Sequence, residues 1–317
     1  MKYSLQKYRH GTKHKCPQCK RERCFVLYVD KNDNPLHETV GRCDHENSCG
    51  YHYTPRQFFA DNPNLRITDN LCESQPKPHF TTQPTCSIPL ELVNKSFSPR
   101  NRFVVFLFNI LGNYGLDITT ISKVIEEYCI GSTKDGRTIF FQIDKDFKVR
   151  TGKIISYDAE SGRRDKKAGI DWVHSIMKRK RQLPDNWQLN QCLFGEHLLN
   201  KYPNKTVALV EAEKTAIICA AVYPEYVWLS VGSVQNLSAK AGSKGLQMLK
   251  ALTNRKVIII PDVDGFQRWA EASKLLTFCK CIVSDYIEKN ATIEDRKNKI
   301  DIADILIREF KNLDKSR

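Results

Sequence analysis

Three acidic residues directly follow two stretches that are predicted to be buried strands. Glu211 comes after "VALV", and Asp262 and Asp264 follow "VIII" in the segment "KVIIIPDVDGF". Open α/β sheets bind ligands at the carboxyl ends of their strands, so these carboxylates are expected to converge. Crowded carboxylates repel one another unless a cation lies between them, and an all-oxygen site suits Mg²⁺ or Mn²⁺. The alternative is an ordinary turn, because Asp and Gly are common after a strand.

A second acidic pair lies near the end of the chain, where Asp301 and Asp304 stand in "DIADIL". We assign Asp304, together with Asp262 and Asp264, to the predicted magnesium site. Asp301 has two readings that the sequence leaves open. It either adds to the acidic site or caps a helix whose dipole favours negative charge at its start.

Near the beginning of the chain, cysteines occur in two pairs. Cys16 and Cys19 form C-P-x-C, and Cys43 and Cys49 form a wider pair beyond a predicted hairpin. Two pairs at the ends of a hairpin supply the four tetrahedral ligands that structural zinc prefers. The second spacing is longer than usual, so three nearby residues are candidate substitute ligands: Cys24, His45 and His52. Cys24 is predicted to pack in a strand, whereas either histidine could replace Cys49.

Composition limits the class of protein. The 317 residues include 41% hydrophobic residues, enough for a large core, and carry a net charge of +14 that favours a polyanionic partner such as nucleic acid. No stretch reaches the roughly 20 apolar residues that cross a bilayer, and the start lacks a signal-peptide pattern. Cysteines clustered at one predicted metal site indicate a reducing compartment, so the expected location is the cytoplasm.

Hydrophobic periodicity predicts an α/β protein with three structured parts. A zinc ribbon (1–60) and a Pro- and Ser-rich linker (61–99) precede an α+β basic subdomain (100–200). From 201 to 317, apolar strands alternate with helices, which predicts a parallel sheet covered on both faces. Gly112 and Gly131 are the predicted stops of two helices in the basic subdomain.

The acidic pattern resembles the Toprim domain, which bacterial-type primases, topoisomerases and certain nucleases share. "LVEAEKTA" is similar to its first motif, "PDVDG" to its second, and "KIDIADIL" to a third element of primase-type members. The resemblance implies that Glu211 acts as general acid or base and that Asp262 and Asp264 hold magnesium. One departure is Thr215, which stands where primases often carry another aspartate.

The resemblance continues upstream. Residues 136–158, "GRTIFFQIDKDFKVRTGKIISYD", are similar to the basic strand pair of primases, although Gln142 replaces a proline and the usual G-G-R is absent. An N-terminal zinc ribbon is also a primase arrangement. The whole pattern is closest to primase-like Toprim proteins of mobile genetic elements of Bacteroidetes. It implies that basic residues hold template and nucleotide, namely Arg137, Arg150, Lys153, Arg163, Arg164, Lys166 and Lys167.

The function expected from this resemblance is magnesium-dependent nucleotidyl transfer on a single-stranded DNA template. Its cofactors would be structural Zn²⁺ and catalytic Mg²⁺ or Mn²⁺, and its partners single-stranded DNA, nucleoside triphosphates and a replicative helicase or initiator. Two alternatives remain open: a DNA-binding accessory protein with a catalytically weak Toprim scaffold, and a Toprim nuclease. No G-x-x-x-x-G-K-[ST] loop is present, so a helicase motor would have to be a separate chain.

Overall fold

The structure is a computed structural model in which the chain forms two compact units, 1–81 and 82–317. The residues that it describes are 3–7, 9, 11–45, 49–62, 87–237 and 243–315. Most of the predicted linker therefore lies outside the described residues. Within the described ranges, none of the helices is both long enough and apolar enough to span a membrane.

The first unit contains a small antiparallel sheet whose strands pair in chain order. Its elements are β1 (Ser4–Leu5), β2 (Phe25–Val29), β3 (Gly41–Cys43), β4 (His52–Tyr53) and α1 (Pro55–Asp61). β2 and β3 pair antiparallel with Phe25 opposite Cys43, which confirms the predicted hairpin. The ends of this hairpin carry cysteines, and Cys16, Cys24, Phe25, Leu27 and Cys43 form its core.

The second unit begins with helices and an antiparallel sheet. The helices are α2 (Glu91–Asn94), α3 (Arg102–Tyr114), α4 (Ile118–Glu127) and α5 (Val173–Arg179). The strands are β5 (Ile130–Ser132), β6 (Thr138–Ile143), β7 (Val149–Ile155) and β8 (Ile170–Trp172), and they pair in this order. Residues 87–99, at the end of the predicted linker, are packed on this sheet, because the Ile88 N–H donates to the Val149 carbonyl at 2.8 Å.

The predicted helix stops were wrong by a few residues. Gly112 lies inside α3, which continues to Tyr114 and is capped by Gly115 at a φ of 105°. Only glycine adopts such a left-handed conformation without steric cost, so the stop signal belongs to the second of two nearby glycines. Gly131 lies in β5, where its missing side chain leaves room for Ser96 and Phe141.

The rest of the second unit is a parallel sheet, as the alternation of strands and helices predicted. Its strands are β9 (Val207–Val210), β10 (Val227–Ser230), β11 (Lys256–Ile259) and β12 (Lys280–Val283), in the order β10-β9-β11-β12. The remaining helices are α6 (Leu198–Lys201), α7 (Glu213–Val222), α8 (Lys244–Leu249), α9 (Phe266–Ser273), α10 (Tyr286–Asn290), α11 (Ile293–Asn298) and α12 (Ile302–Lys315). All three strand pairs are parallel, and the second unit is therefore mixed α/β.

The two faces of the antiparallel sheet belong to different hydrophobic cores. Phe140 and Ile155 join the large core that includes α3, α7 and the parallel sheet. Ile139 and Ile154, which point to the opposite face because side chains alternate along a strand, join a smaller core with Ile88. The antiparallel and parallel sheets thus share one apolar interior within the second unit.

A buried ion pair connects the antiparallel sheet to helix α7, which packs in the same core. The Lys153 ammonium on β7 lies 3.0 Å from the carboxylate of Glu213, the first residue of α7, and 2.9 Å from the carbonyl of Gly232. Both side chains are almost fully buried. Such a pair contributes little net stability relative to apolar residues, but each partner is costly to bury alone. We infer that this pair fixes the position of α7 relative to β7.

Replacing Lys153 with Met is expected to destabilise the second unit by about 3–5 kcal/mol, because it leaves the Glu213 carboxylate buried without its cation. The double variant Lys153→Met/Glu213→Leu should recover most of that loss. Urea unfolding followed by tryptophan fluorescence measures this change, since Trp172, Trp187, Trp228 and Trp269 all lie in the second unit. Equal losses in the single and double variants would show that the pair is not coupled.

Candidate functional site

Parallel pairing brings Glu211 and Asp262 to the same edge of the sheet. β9 and β11 are neighbours, and Val207, Ala208 and Leu209 pair with Val257, Ile258 and Ile259. Extended by two residues, that register sets Glu211 level with Pro261, beside Asp262. Both acidic side chains are half-buried, and neither has a hydrogen-bond or ion-pair partner among the residues that the structure describes. Two unpartnered carboxylates therefore share this edge.

The environment of Asp262 disfavours its negative charge. Burial raises the pKa of Asp262 to about 8, and the negative charges of Asp301, Glu211 and Asp304 also act to raise it. Without a cation, this carboxyl group holds a proton near neutral pH. A bound divalent cation would reverse that preference, because it favours the ionised form.

Asp301 and Asp304 lie at the start of α12 and cap it reciprocally. The Asp304 N–H donates to Asp301 Oδ1 at 2.9 Å, and the Asp301 N–H donates to Asp304 Oδ2 at 3.3 Å. The Thr215 hydroxyl donates to the other oxygen of Asp301. Burial raises the pKa of Asp301, and so does the charge of Asp304. Both readings of Asp301 therefore apply, since it caps the helix and also adds negative charge next to Asp262.

Asp264 has a different environment from Asp262. It is exposed, adopts a φ of 63°, and its carboxylate accepts a hydrogen bond from Arg296 at 2.8 Å. Arg296 also bonds the carboxylate and the carbonyl of Glu288. The structure thus brings Glu211, Asp262 and Asp304 together with Asp301, and it turns Asp264 toward Arg296.

The spacing of these carboxylates limits how they could hold magnesium. In the described part of the chain, all groups of three or more possible ligand atoms within 4.8 Å of one another consist of cysteines and His45. The acidic edge therefore does not form a closed cage of three carboxylates. It fits a Mg²⁺ ion that binds one or two carboxylates and otherwise water and phosphate oxygens, which is the usual protein site for this ion.

The predicted basic residues differ in burial and pairing according to the element that carries them. On strand β7, Lys153 pairs with Glu213, and the buried Arg150 binds Asp144 through Nε at 2.7 Å. Arg137, just before β6, pairs with Asp135 at 2.9 Å. The other four are exposed and have no ion-pair partner in the ranges that the structure describes. These four form the basic loop: Arg163, Arg164, Lys166 and Lys167.

Backbone contacts hold the basic loop in a defined shape. The Asp158 N–H donates to the Arg163 carbonyl at 2.9 Å, and the Asp165 N–H donates to the Ser156 carbonyl at 2.9 Å. Gly162 has a φ of 63° and lies against the ring of Phe106 so closely that a Cβ atom would fall 2.4 Å from it. The loop is therefore anchored to the core at its base.

Lys214 connects the basic loop to the acidic edge. Its ammonium lies 3.5 Å from the carbonyl of Gly162 and 3.4 Å from Asp304 Oδ1. Sequence reasoning missed Lys214 and the buried Glu213, although both stand in the quoted "LVEAEKTA". The pattern of polar and apolar residues in that segment did not single out these two side chains, because nearly every residue of α7 is buried. The cation next to the acidic edge is thus Lys214, with the basic loop directly beyond it.

In the first unit, the four predicted cysteine ligands form one cluster. The sulfur atoms of Cys16, Cys19, Cys43 and Cys49 all lie within 4.8 Å of one another. Cys16 Sγ is 3.7 Å from Cys49 Sγ, and Cys19 Sγ is 3.9 Å from Cys43 Sγ. Sulfur ligands about 2.3 Å from a tetrahedral zinc are separated by about 3.8 Å, so these residues fit structural Zn²⁺.

Hydrogen bonds from backbone N–H groups lower the pKa values of these thiols and so favour the thiolate form that binds a metal. A hydrogen bond from the Arg21 N–H lowers the pKa of Cys19 to about 6. Burial raises the pKa of Cys43, against a hydrogen bond from the His45 N–H. The longer spacing between Cys43 and Cys49 does not prevent ligation, because the Cys49 and Gly50 N–H groups both donate to the His45 carbonyl, which brings Cys49 back beside Cys43.

Two family models match this chain, one in each of its two units. Residues 1–64 match the family of zinc beta-ribbon fingers (Zn_ribbon_16). Residues 101–263, half of the chain, match the family described as Domain of unknown function (DUF6371). The chain therefore belongs to the DUF6371 family. None of the curated proteins matches it.

Three primase structures are similar to this chain at low sequence identity. The primase fragment of the bacteriophage T7 primase-helicase is 13% identical, and the match covers 94% of this chain and all of that one, with a TM-score of 0.38. The zinc-binding and RNA polymerase domains of Aquifex aeolicus primase are 14% identical over 99% of this chain and 80% of that one, with a TM-score of 0.33. The RNA polymerase domain of the Mycobacterium tuberculosis primase is 10% identical over 63% and 68%, with a TM-score of 0.31.

The raised pKa of Asp262 predicts how stability depends on pH without divalent cations. The folded form keeps a proton up to about pH 8 that the unfolded chain loses near pH 3.8. The stability that this proton confers is complete below pH 3.8 and is lost as the pH rises to about 8. The slope is at most about 1.4 kcal/mol per pH unit.

The Asp262→Asn variant should lack this slope, and added Mg²⁺ should stabilise the wild type more at pH 8 than at pH 5. Tryptophan fluorescence during urea unfolding at a series of pH values reports the second unit alone. Asp264→Asn is the matched control and should keep the wild-type slope. Parallel curves for the wild type and Asp262→Asn would contradict the assignment.

Proposed function

We propose that this protein is a primase-like nucleotidyltransferase that joins nucleotides on a single-stranded DNA template with a divalent cation at the acidic edge. The observation that carries the proposal is a pair of carboxylates without partners in the described part of the chain, those of Glu211 and Asp262, beside the exposed basic loop. A cation site next to unpaired arginines and lysines suits a substrate with several phosphates. The net charge of +14 agrees with a polyanionic partner.

The Toprim resemblance supports the same proposal at the level of motifs. In this view the second unit contains a Toprim-type sheet, and Asp262 is the main carboxylate for Mg²⁺ or Mn²⁺, with Asp304 near enough to take part. A bound cation would neutralise the triphosphate and stabilise charge at the reacting phosphorus. We propose that Asp264 positions the turn through Arg296 rather than touching the ion, because its carboxylate is already paired.

The chain's own residues would then have separate tasks. The Glu211 carboxylate has no hydrogen-bond partner among the described residues, so it is free to accept a proton from the attacking hydroxyl group. Arg163, Arg164, Lys166 and Lys167 would hold template and nucleotide phosphates from a loop that is already ordered. Lys153 and Arg150 would stabilise the fold rather than bind substrate, since each is paired with a buried acidic residue.

Asp262→Asn is expected to lower template-directed synthesis by about 100-fold or more, because it removes the charge that favours the cation. Asp264→Asn should lower it by about fivefold at most, the value of an exposed ion pair. The measurement is extension of dinucleotides on single-stranded DNA with Mg²⁺ and nucleoside triphosphates. Equal losses in both variants would contradict the separation of the two aspartates.

The same assay distinguishes the alternative functions. Cleavage of a labelled strand without triphosphates, lost in Asp262→Asn, would identify a nuclease. Binding without synthesis or cleavage would identify an accessory protein that retains the scaffold. Either result would overturn the proposed nucleotidyl transfer.

The basic loop is tested by the salt dependence of DNA binding. Replacing Arg163 and Arg164 with Ala should reduce the slope of log K against log salt by about 0.7 for each lost contact with a single strand. Replacing both with Lys keeps the charge and should keep the slope. Fluorescence anisotropy of a labelled oligonucleotide at several salt concentrations measures it, and an unchanged slope in the Ala variant would exclude the loop from the interface.

A further inference from the structure

The ribbon contains more potential metal ligands than one zinc ion needs. Besides the four-cysteine set, a second set of ligand atoms lies within 4.8 Å of one another, and it consists of Cys19, Cys24, Cys43 and His45. The two sets share Cys19 and Cys43. Cys24 packs in the core of the ribbon, as expected, and His45 was expected to ligate only in place of Cys49. The structure also brings both to the same two sulfurs.

Distances around Cys43 match those of a metal site. Cys43 Sγ lies 3.9 Å from Cys24 Sγ and 3.6 Å from His45 Nδ1. These values are close to the edge of a tetrahedron with bonds of about 2.3 Å to sulfur and about 2.0 Å to nitrogen. The shared edge, from Cys19 Sγ to Cys43 Sγ, measures 3.9 Å and is therefore a suitable edge for either set.

The two sets extend from the shared edge with different partners. Cys16 and Cys49 belong only to the first set, and Cys24 and His45 belong only to the second. Neither Cys24 nor His45 lies within 4.8 Å of every member of the first set, so they do not compete for one central position. Two tetrahedra that share one edge need six ligands, which is the number present.

The backbone explains why the second set meets. Cys24 directly precedes β2, and the Asp44 N–H, between Cys43 and His45, donates to the Cys24 carbonyl at 2.8 Å. That bond continues the β2–β3 ladder by one step and holds Cys24 next to His45. The Cys24 thiol lies 3.1 Å from the Arg21 carbonyl, a weak contact that ligation would replace.

Charge also favours a second ion. One divalent ion among five thiolates would leave a net charge of −3, so some thiols would have to stay protonated. Two divalent ions among five thiolates and a neutral imidazole leave −1. We propose that the ribbon binds two zinc-class ions in an edge-sharing site, with Cys19 and Cys43 as bridging ligands, Cys16 and Cys49 completing the first ion, and Cys24 and His45 completing the second.

Native mass spectrometry of the full-length chain, loaded with Zn²⁺ and washed with a weak chelator, tests this proposal. The wild type should retain two ions, and the double variant Cys24→Ser/His45→Asn should retain one. Cys129→Ser is the matched control, because Cys129 is a half-buried cysteine outside the ribbon, and it should retain two. With ¹¹³Cd²⁺ in place of zinc, two resonances are expected, and the double variant should lose one.

A wild type that retains only one ion would overturn the proposal, whether or not the variants fold. One ion in the wild type and one in each of Cys16→Ser and Cys24→Ser would identify a single ion that exchanges ligands, and this result would overturn the proposal. A second ion that persists in Cys24→Ser/His45→Asn would lie elsewhere in the chain, and this result would also overturn the shared site.

Discussion

Parallel pairing of β9 with β11 is the constraint on which the acidic edge depends. It aligns the strand ends, so Glu211 and Asp262 leave the sheet side by side, and the start of α12 adds Asp301 and Asp304 to the same region. Burial and these like charges raise the pKa of Asp262, and proteins keep such clusters where a proton or cation offsets the repulsion. The sheet thus concentrates negative charge at one edge, and a bound proton or cation offsets the repulsion between these carboxylates.

The positive charges around this edge have two distinct physical roles. Those on strand β7 are buried against acids: Lys153 meets Glu213 of α7, and Arg150 meets Asp144 in the turn between β6 and β7. Those on the loop after β7 remain in water without acidic partners among the described residues. A buried charge must be paired, whereas an exposed one stays available to a ligand. Burial therefore distinguishes the basic residues that stabilise the fold from those that can bind a ligand.

The ribbon shows how few contacts position metal ligands in a small unit. Its core contains cysteines rather than many large apolar side chains, so metal binding supplies free energy that the hydrophobic core cannot. A single hairpin ladder aligns Cys24 with the turn after Cys43, and this alignment explains the proximity of six ligands.

Local pattern was enough to predict the hairpin of the ribbon, its four clustered cysteines, and the strands and helices of the parallel sheet. Each of these depends on spacing or periodicity over a few residues, which the chain displays directly. The helix stop at Gly115 was missed because Gly112 offers the same residue type three positions earlier, and only the path of the chain selects between them.

The sequence by itself determined which residue types stand at strand ends, in the cysteine pairs and in the basic stretch. Only the tertiary structure decided that Asp301 lies near enough to Asp262 to raise its pKa while Asp264 pairs with Arg296, and that Lys153 is buried while Arg163 is exposed. The contacts involved join residues 32 to 86 positions apart. Such contacts have no local signal, because they arise from how the sheets and helices pack and from which charges that packing removes from water.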